Sequence, residues 1–216
     1  WVGYGGTTGL KAMDYVLSDR HVIPPDQADH FTETPWPLPD IWVCFGPPEY
    51  DVEPGPLPAL RNGYTTFGSF NNLAKITKQT IACWAQVLHA VADSRLYLKA
   101  IQLGDDAVQE DILKQFETHG IDHARLTLKG RTASPEGHLA DYQQIDIALD
   151  PFPYVGGTTS VEAFWMGVPV LTKRGNRFVS NMGVSLALSV GLESWVAETT
   201  DDYVDKAQDF ASDLTF

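Results

Sequence analysis

The chain is poor in cysteine and contains no long hydrophobic run. Its two cysteines, Cys44 and Cys83, lie far apart and form no CxxC pair, so the sequence predicts neither a disulfide framework nor a zinc site. Both are expected to be buried free thiols in a reducing compartment. No apolar run is long enough to span a bilayer, and no secretory signal opens the chain. We therefore expect a cytoplasmic protein without a membrane partner.

Basic residues are also scarce. Lysine and arginine together number 15 against 28 aspartates and glutamates, which gives a formal net charge of −13. A nucleic-acid-binding protein usually presents a basic face to the phosphates, and no dense run of lysine and arginine occurs here. These observations exclude nucleic acid as the main partner. A local basic pocket for one diphosphate is still compatible with this charge.

The sequence motifs of several common sites are missing. It contains no GxxxxGK[ST] P-loop, no GxGxxG dinucleotide motif, no GxSxG elbow and no HExxH zinc motif. It also has no persuasive paired-aspartate metal motif, so we expect neither a metal ion nor a cofactor. Hydrophobic residues make up 44% of the chain and charged residues 20%, as is usual for a globular protein.

A proline-rich stretch divides the chain. Residues 47–58 are expected to form a linker, because proline fits neither a helix interior nor a central strand. We place a lobe boundary near residue 62, between residues 1–62 and residues 63–216. Because the chain begins with Trp1 rather than Met, we expect it to be an excerpt of a longer protein.

Strand and helix patterns alternate after the linker. Thr77 and Ser134 are the predicted N-caps of two of the helices. Such alternation predicts an α/β fold, with a parallel sheet covered by helices on both faces. The predicted strands are residues 65–70, 95–101, 125–128, 145–149 and 168–172. The predicted helices are residues 80–91, 105–118, 134–142, 158–166, 180–190 and 201–211.

Ligands of such folds bind at the carboxyl ends of the strands, and the turn before residue 158 is the most specific candidate. Gly156 and Gly157 allow close approach of the backbone to a ligand. Thr158 and Thr159 would begin a helix, where free N–H groups and hydroxyls form an anion site suited to phosphate. Glu162 would lie on the same helix face as Thr158 and could accept hydrogen bonds from ribose hydroxyls. The alternative is a tight turn with two capping threonines and a solvated glutamate.

Two further candidates follow other predicted strands. Lys75 could neutralise a diphosphate leaving group and Asn72 could hold it through its amide, which would stabilise developing negative charge. The alternative is an Asn-rich loop with an exposed lysine. His138 could stack on a base or donate to a phosphate or a ribose. It could equally be a surface or helix-capping histidine.

The fourth candidate is the glycine-rich run near the start of the chain. Tyr4, Gly5, Gly6 and Thr7 belong to a run that would let the backbone approach a ligand, as a possible sugar or acceptor loop. A flexible turn is the alternative, because a glycine-rich run alone is weak evidence for a site.

Taken together, these segments resemble the catalytic domain shared by the SPINDLY proteins and the protein O-GlcNAc transferases. The resemblance covers nearly the whole chain. It is carried by residues 3–9 with 13–15, 67–76, 146–154, 156–169 and 183–186. Several ordered segments at matching separations are far more specific than any one of them.

The resemblance implies an inverting glycosyltransferase of the GT-B type, with two Rossmann-like lobes. Residues 1–62 would be the tail of the N-terminal lobe with the linker, and residues 63–216 the C-terminal lobe that holds the nucleotide sugar. Tyr154 stands where retaining relatives have a glutamate, which supports inversion. The family positions that contact the nucleotide or its diphosphate match Asn72, Lys75, His138, Gly157, Thr158, Thr159 and Glu162.

By this resemblance we expect transfer of GlcNAc from UDP-GlcNAc to serine or threonine hydroxyls of a protein acceptor, with Lys75 as the catalytic residue. The O-GlcNAc branch often has His for Gly157, Gln for Asn72 and Asp for Glu162. Residues 67–76 are closer to the SPINDLY branch, whose plant member uses GDP-fucose. Transfer of fucose from GDP-fucose, or of glucose from UDP-glucose, to a protein acceptor therefore stays open. A sugar-nucleotide epimerase and a non-catalytic nucleotide-sugar-binding module stay open as well.

The residues of this chain show no convincing general base. In the resembling family, a TPR array that recruits protein substrates and an early histidine once proposed as the base would both lie upstream. We therefore expect this chain alone to bind a donor weakly and to be inactive.

Overall fold

The computed structural model describes residues 5–213, which form a small two-stranded unit followed by a larger α/β unit. In the first unit, β1 (Tyr15–Ser18) pairs in parallel with β2 (Thr34–Pro37), and a 3-10 helix at Pro25–His30 connects them. Residues 38–57 then run without helix or strand. Tyr4 of the predicted sugar or acceptor loop lies outside the described residues.

The α/β unit begins with a short helix and alternates strands with helices to the end. Its strands are β3 (Thr66–Ser69), β4 (Arg95–Lys99), β5 (Leu126–Lys129), β6 (Ile147–Leu149), β7 (Val170–Lys173) and β8 (Val196–Ala197). Its helices are α1 (Pro58–Asn62), α2 (Lys78–Ala90), α3 (Asp106–Glu117), α4 (Pro135–Ala140), α5 (Thr158–Trp165), α6 (Phe178–Ser189) and α7 (Thr200–Ser212). Among residues 5–213, no helix combines the length and the apolar character needed to cross a membrane.

All six strands of this unit are parallel, in the order β5-β4-β3-β6-β7-β8. The chain moves outward in one direction from β3 to β5, then crosses back to β6 and continues in the other direction. The strand order therefore reverses between β3 and β6. In open parallel sheets, a crevice opens at the carboxyl ends of the strands at this point, and ligands bind there.

Alternating side chains of the strands build two apolar layers, one on each face of the sheet. Leu96 and Leu98 of β4 pack with Trp84 of α2 in the larger layer, which also includes residues of α3 and α7. Tyr97, between those two leucines, packs on the opposite face with residues of α4 and α5. The predicted α/β fold with helices on both faces of a parallel sheet is confirmed.

The small unit is joined to the large one by an apolar cluster and by Asp19. Val22 and Ile23 pack against Phe178 and Met182 of α6. Asp19 is fully buried, and its Oδ2 accepts hydrogen bonds from Ser185 Oγ at 2.5 Å and from the Trp42 backbone N–H at 2.9 Å. These contacts place the small unit against α6, next to the loop that follows β6.

The predicted helices and strands are all present, with boundaries that differ by at most two residues. The expected linker at residues 47–58 ends one residue early, because Pro58 begins α1. The strand expected at residues 95–101 ends at Lys99, because the chain turns there into a 3-10 helix at Ile101–Gly104. The helix expected at residues 134–142 ends at Ala140 and tightens into a 3-10 helix at Asp141–Gln144. The expected burial is confirmed for Cys83 but wrong for Cys44, which is exposed because it lies in the segment without helix or strand. The lobe boundary near residue 62 stays a prediction.

Candidate functional site

The loops after β3 and β6 meet where the strand order reverses. Thr159 Oγ1 of the second loop region donates to Asn71 Oδ1 of the first at 3.1 Å. Lys75 Nζ donates to the Val155 carbonyl at 2.9 Å. Two loops that are about 80 residues apart in sequence are therefore tied together at the crevice that this topology predicts as the ligand site.

Lys75 is the cation at the centre of this junction. Its ammonium lies 4.2 Å from the centroid of the Tyr154 ring, besides its hydrogen bond to the Val155 carbonyl. Burial lowers the pKa of Lys75, and the nearby carboxylate of Asp150 opposes that shift. Because the ammonium is bonded mainly to a neutral carbonyl and a ring face, a bound anion would gain a strong charge-assisted partner.

The start of α5 provides backbone donors beside this cation. Gly157 is the N-cap residue, and no side chain of the described residues caps the helix there. The first N–H groups of an α-helix have no partner within the helix, and the helix dipole favours an anion at this end. Thr158, the first helical residue, is exposed.

Asp150 fixes the shape of the loop that precedes α5. Its Oδ1 accepts hydrogen bonds from the Gly156 N–H at 3.0 Å and from Ser160 Oγ at 3.1 Å. Burial raises the pKa of Asp150, and hydrogen bonds and the charge of Lys75 oppose that shift. A Cβ atom at Gly156 would lie 2.7 Å from the same Oδ1, a distance that packed atoms do not tolerate. The same Cβ would overlap Ser160 Oγ, so glycine at this position is required by the close approach of that hydroxyl and of the carboxylate.

His138 and Glu162 meet one turn into α5. Glu162 Oε2 lies 3.1 Å from His138 Nε2 and accepts a hydrogen bond from the Tyr142 hydroxyl at 3.2 Å. Burial raises the pKa of Tyr142 well above its ordinary value, so its hydroxyl stays a donor. Lys99 Nζ lies 2.8 Å from His138 Nδ1. Both ring nitrogens of His138 are thus engaged by protein groups, which fixes the plane of its ring.

A cavity of about 510 Å³ opens beside this histidine, between the carboxyl ends of β3, β4 and β5. Phe70 and His138 form part of its wall, and the ring centroids of these two residues are 5.9 Å apart. Asn72 lies at the same cavity, where its Oδ1 accepts hydrogen bonds from Gln102 Nε2 and the Ala74 N–H. The volume and the largely aromatic and aliphatic wall suit a planar heterocycle.

The glycine-rich run faces a different cavity. Gly5, Gly6 and Thr7 line a space of about 410 Å³ together with His30 and Arg177. Glu33 holds this run: its carboxylate accepts hydrogen bonds from Thr7 Oγ1, and from the N–H and hydroxyl of Thr8. These bonds lower the pKa of Glu33 to about 2. The structure therefore brings together the candidates on the α/β unit, and it places the glycine-rich run at a separate cavity across α6.

Four polar residues of this region escaped the sequence analysis: Lys99, Asp141, Tyr142 and Asp150. Lys99 and Asp141 form an ion pair with 2.7 Å between Lys99 Nζ and Asp141 Oδ2. Their pairing is tertiary and leaves no local pattern. Lys99 and Asp150 do carry one signal, because each is a charged residue at the end of a buried strand, where a ligand site is expected. Within the part of the chain that the structure describes, no three His, Cys, Asp or Glu side chains cluster as metal ligands would.

A parallel sheet covered by helices, with a cation, an uncapped helix start and a cavity at its switch point, places this unit among the open α/β domains that bind ligands at the carboxyl ends of their strands. A scan of protein families matches residues 58–216 to glycosyl transferase family 41. The chain belongs to this family.

The relatives agree with this assignment over the whole chain. The chain is 42% identical over 215 residues to the probable UDP-N-acetylglucosamine–peptide N-acetylglucosaminyltransferase SPINDLY of Petunia hybrida, and 41% identical to that of Arabidopsis thaliana. These alignments cover 100% of the chain, 23% of the petunia protein and 24% of the Arabidopsis protein. The chain thus spans about a quarter of the length of these relatives.

A solved structure shows the same fold. The O-GlcNAc transferase of Thermobaculum terrenum, in a mutant form, superposes with a TM-score of 0.91 at 35% identity, over 99% of this chain and 40% of that one. The C-terminal domain of a group 1 glycosyl transferase from Francisella tularensis matches with a TM-score of 0.50 at 15% identity, which bears on the fold alone. The predicted GT-B class and the resemblance to the SPINDLY and O-GlcNAc transferase family are confirmed.

Proposed function

We propose that this chain is the donor-binding part of an inverting protein glycosyltransferase, which moves GlcNAc from UDP-GlcNAc to serine or threonine hydroxyls of a protein acceptor. The observation that carries the proposal is the junction of Lys75 with the loop that leads into α5, at the reversal of strand order. The identity to proteins named as UDP-GlcNAc peptide transferases supports the donor and the acceptor class. Such a protein would act in the cytoplasm, with its substrate-recruiting TPR region upstream.

In this proposal the diphosphate lies between Lys75 and the first turn of α5. Transfer breaks the bond between the anomeric carbon and the diphosphate oxygen. The acceptor hydroxyl forms the new bond from the opposite face of the sugar and gives up its proton to solvent water. Negative charge grows on the diphosphate as it leaves. The Lys75 ammonium, the Thr158 hydroxyl and the N–H groups of Thr158 and Thr159 stabilise that charge, so that no metal ion or other cofactor is required.

The remaining contacts hold the nucleoside. The Glu162 carboxylate accepts hydrogen bonds from the ribose hydroxyls, and the base enters the cavity beside Phe70 and His138. Asn72 holds the donor at the mouth of that cavity. Gly156 and Gly157 allow the backbone to approach the phosphates. The glycine-rich run from Gly5 to Thr7 faces the acceptor side, across α6.

Nucleotide binding tests the proposal. We expect UDP to raise the thermal stability of the chain, and at about a hundred times its Kd it should add roughly 2.7 kcal/mol to the free energy of unfolding. Thr158→Ala should remove most of that gain, whereas Thr118→Ala, which deletes an exposed hydroxyl at the end of α3, should leave it intact. Differential scanning fluorimetry with UDP and GDP measures these shifts.

Each outcome of this experiment has a definite meaning. Stabilisation by GDP instead of UDP would contradict the proposed donor and favour protein fucosyl transfer. If neither nucleotide stabilises the chain, the same measurement on the full-length protein is decisive. A failure there as well would refute the phosphate site.

A further inference from the structure

The side chain of Lys99 is almost fully buried and contacts three groups of the proposed site. The side chain is 4% exposed. Its Nζ lies 2.7 Å from Asp141 Oδ2, 2.8 Å from His138 Nδ1 and 5.2 Å from the centroid of the Phe70 ring. Burying a lysine is costly unless each of its donors finds a partner, so such a contact set indicates a defined role.

Donor counting fixes the protonation of the histidine. An ammonium group has three donors and no acceptor, so His138 Nδ1 must accept the hydrogen bond from Lys99. The remaining ring proton is then on Nε2, which donates to Glu162 Oε2 at 3.1 Å. The histidine is thereby neutral, with one nitrogen as acceptor and the other as donor.

The charges around this group agree with that assignment. Burial lowers the pKa of Lys99, and the hydrogen bond and charge of Asp141 oppose that shift and favour the ammonium. Asp141 Oδ1 also pairs with Lys129 Nζ at 2.6 Å. Burial acts to raise the pKa of Asp141, but hydrogen bonds from Lys129, Lys99 and Thr132 lower it, so this carboxylate is ionised. The positive charges of Lys99 and Lys129 are then balanced by the negative charges of Asp141 and Glu162. The imidazole between them is neutral. A proton on both ring nitrogens would leave an extra positive charge in a partly buried cluster.

We propose that Lys99 is a positioning residue for nucleotide recognition, which holds His138 as the Nε2–H tautomer aimed at Glu162. This inference rests on the proposed function, in which Glu162 accepts the ribose hydroxyls. A donor on Nε2 holds one lone pair of Glu162 Oε2. The Tyr142 hydroxyl, whose proton is shared with the Thr159 carbonyl at 2.9 Å, lies 3.2 Å from the same oxygen. The orientation of the carboxylate is then set before the ribose arrives. Preorganisation of this kind raises affinity without any contact between Lys99 and the ribose.

The tautomer can be read without any ligand. We expect side-chain nitrogen NMR of the full-length protein labelled at histidine, assigned with a His138→Gln variant, to show a protonated Nε2 and a bare Nδ1 for His138. In Lys99→Met the two tautomers should mix. Lys129→Met removes a cation from the same aspartate without touching the histidine, so it should leave the tautomer unchanged. Lys99→Arg, which can only donate, should also preserve it.

The consequence for binding is measured with UDP and GDP and their 2′,3′-dideoxy analogues. For the nucleotide that binds, Lys99→Met should raise the Kd on the order of tenfold, in the range expected for coupled neighbours. The Kd of the dideoxy analogue should hardly change, because that ligand lacks the hydroxyls that Glu162 accepts. The effect of Lys99→Met should also vanish in a Glu162→Ala background.

Several results would overturn the proposal. One is an NMR spectrum of the wild-type protein in which His138 carries its proton on Nδ1, or carries protons on both nitrogens. That result does not depend on the folding of any variant. Another is a tautomer that Lys99→Met leaves unchanged, or an equal loss of affinity for ribose and dideoxy ligands. If the tautomer behaves as expected but neither nucleotide binds the full-length protein, the proposed function fails while the Lys99–His138 assignment stands.

Discussion

Lys75→Met is expected to lower kcat for protein glycosylation by about 10²–10³-fold, the usual cost of removing one preorganised donor from developing negative charge. Lys75 Nζ is held at the loop before α5 by the Val155 carbonyl and the Tyr154 ring. The methionine keeps the apolar stem over the tyrosine but removes the charge. Because negative charge grows as the diphosphate leaves, the loss in kcat should exceed the loss in donor affinity. Steady-state kinetics of the full-length enzyme with its natural acceptor measures both.

The control for this variant is Lys78→Met. Lys78 is the first residue of α2, lies three positions after Lys75 and is exposed. The Lys78→Met variant should keep kcat within about twofold of the wild-type value, because exposed lysines away from the developing charge contribute little. If Lys75→Met retained more than a third of the wild-type kcat, another group would have to neutralise the leaving diphosphate.

Gly156→Ala is expected to destabilise the protein by about 1–3 kcal/mol, the cost of overpacking a filled site, and to abolish nucleotide binding. The added Cβ would lie 2.7 Å from Asp150 Oδ1 and 3.0 Å from Thr159 Oγ1. Relief of that overlap must move the carboxylate that fixes the loop, or the start of α5. For a chain of this size, the midpoint of thermal unfolding should fall by roughly 2–4 °C for each kcal/mol.

Gly104→Ala provides the matched control for this prediction. A Cβ at Gly104 would meet no atom within 4 Å, so its stability should change by less than about 0.5 kcal/mol. Calorimetry of the two variants, followed by titration with UDP and GDP, separates the effects. Normal stability and normal nucleotide affinity in Gly156→Ala would contradict the assigned role of this loop.

Much of the α/β unit could be predicted because its signals are local. Thr77 caps α2 by accepting from the Thr80 N–H at 3.1 Å, and Ser134 caps α4 by accepting from the Gly137 N–H at 3.1 Å, as their positions before helical patterns indicated. The start of α5 could be predicted for the same reason, because Gly156 and Gly157 stand between a buried strand and a helical pattern. The anion site at that helix start stays a prediction.

What could not be predicted depends on long-range contacts. The pair of β1 and β2 was missed because β2 contains Pro35 and Pro37, which lack the N–H groups that strand pairing normally uses. The charges around His138 were missed because Lys99 and Asp141 lie 42 positions apart in the chain and meet only in the folded sheet. Nor could the sequence show that the run from Gly5 to Thr7 faces a cavity of its own.

The most direct test of the central claim is a crystal structure of the protein with bound UDP, with GDP as the comparison. The account predicts diphosphate oxygens within about 2.7–3.2 Å of Lys75 Nζ and of the Thr158 and Thr159 N–H groups, the distance of ordinary hydrogen bonds. It also predicts ribose hydroxyls on Glu162 and the base beside His138. A diphosphate that lies in the cavity of Gly5 and Arg177, or that makes no contact with the start of α5, would contradict it.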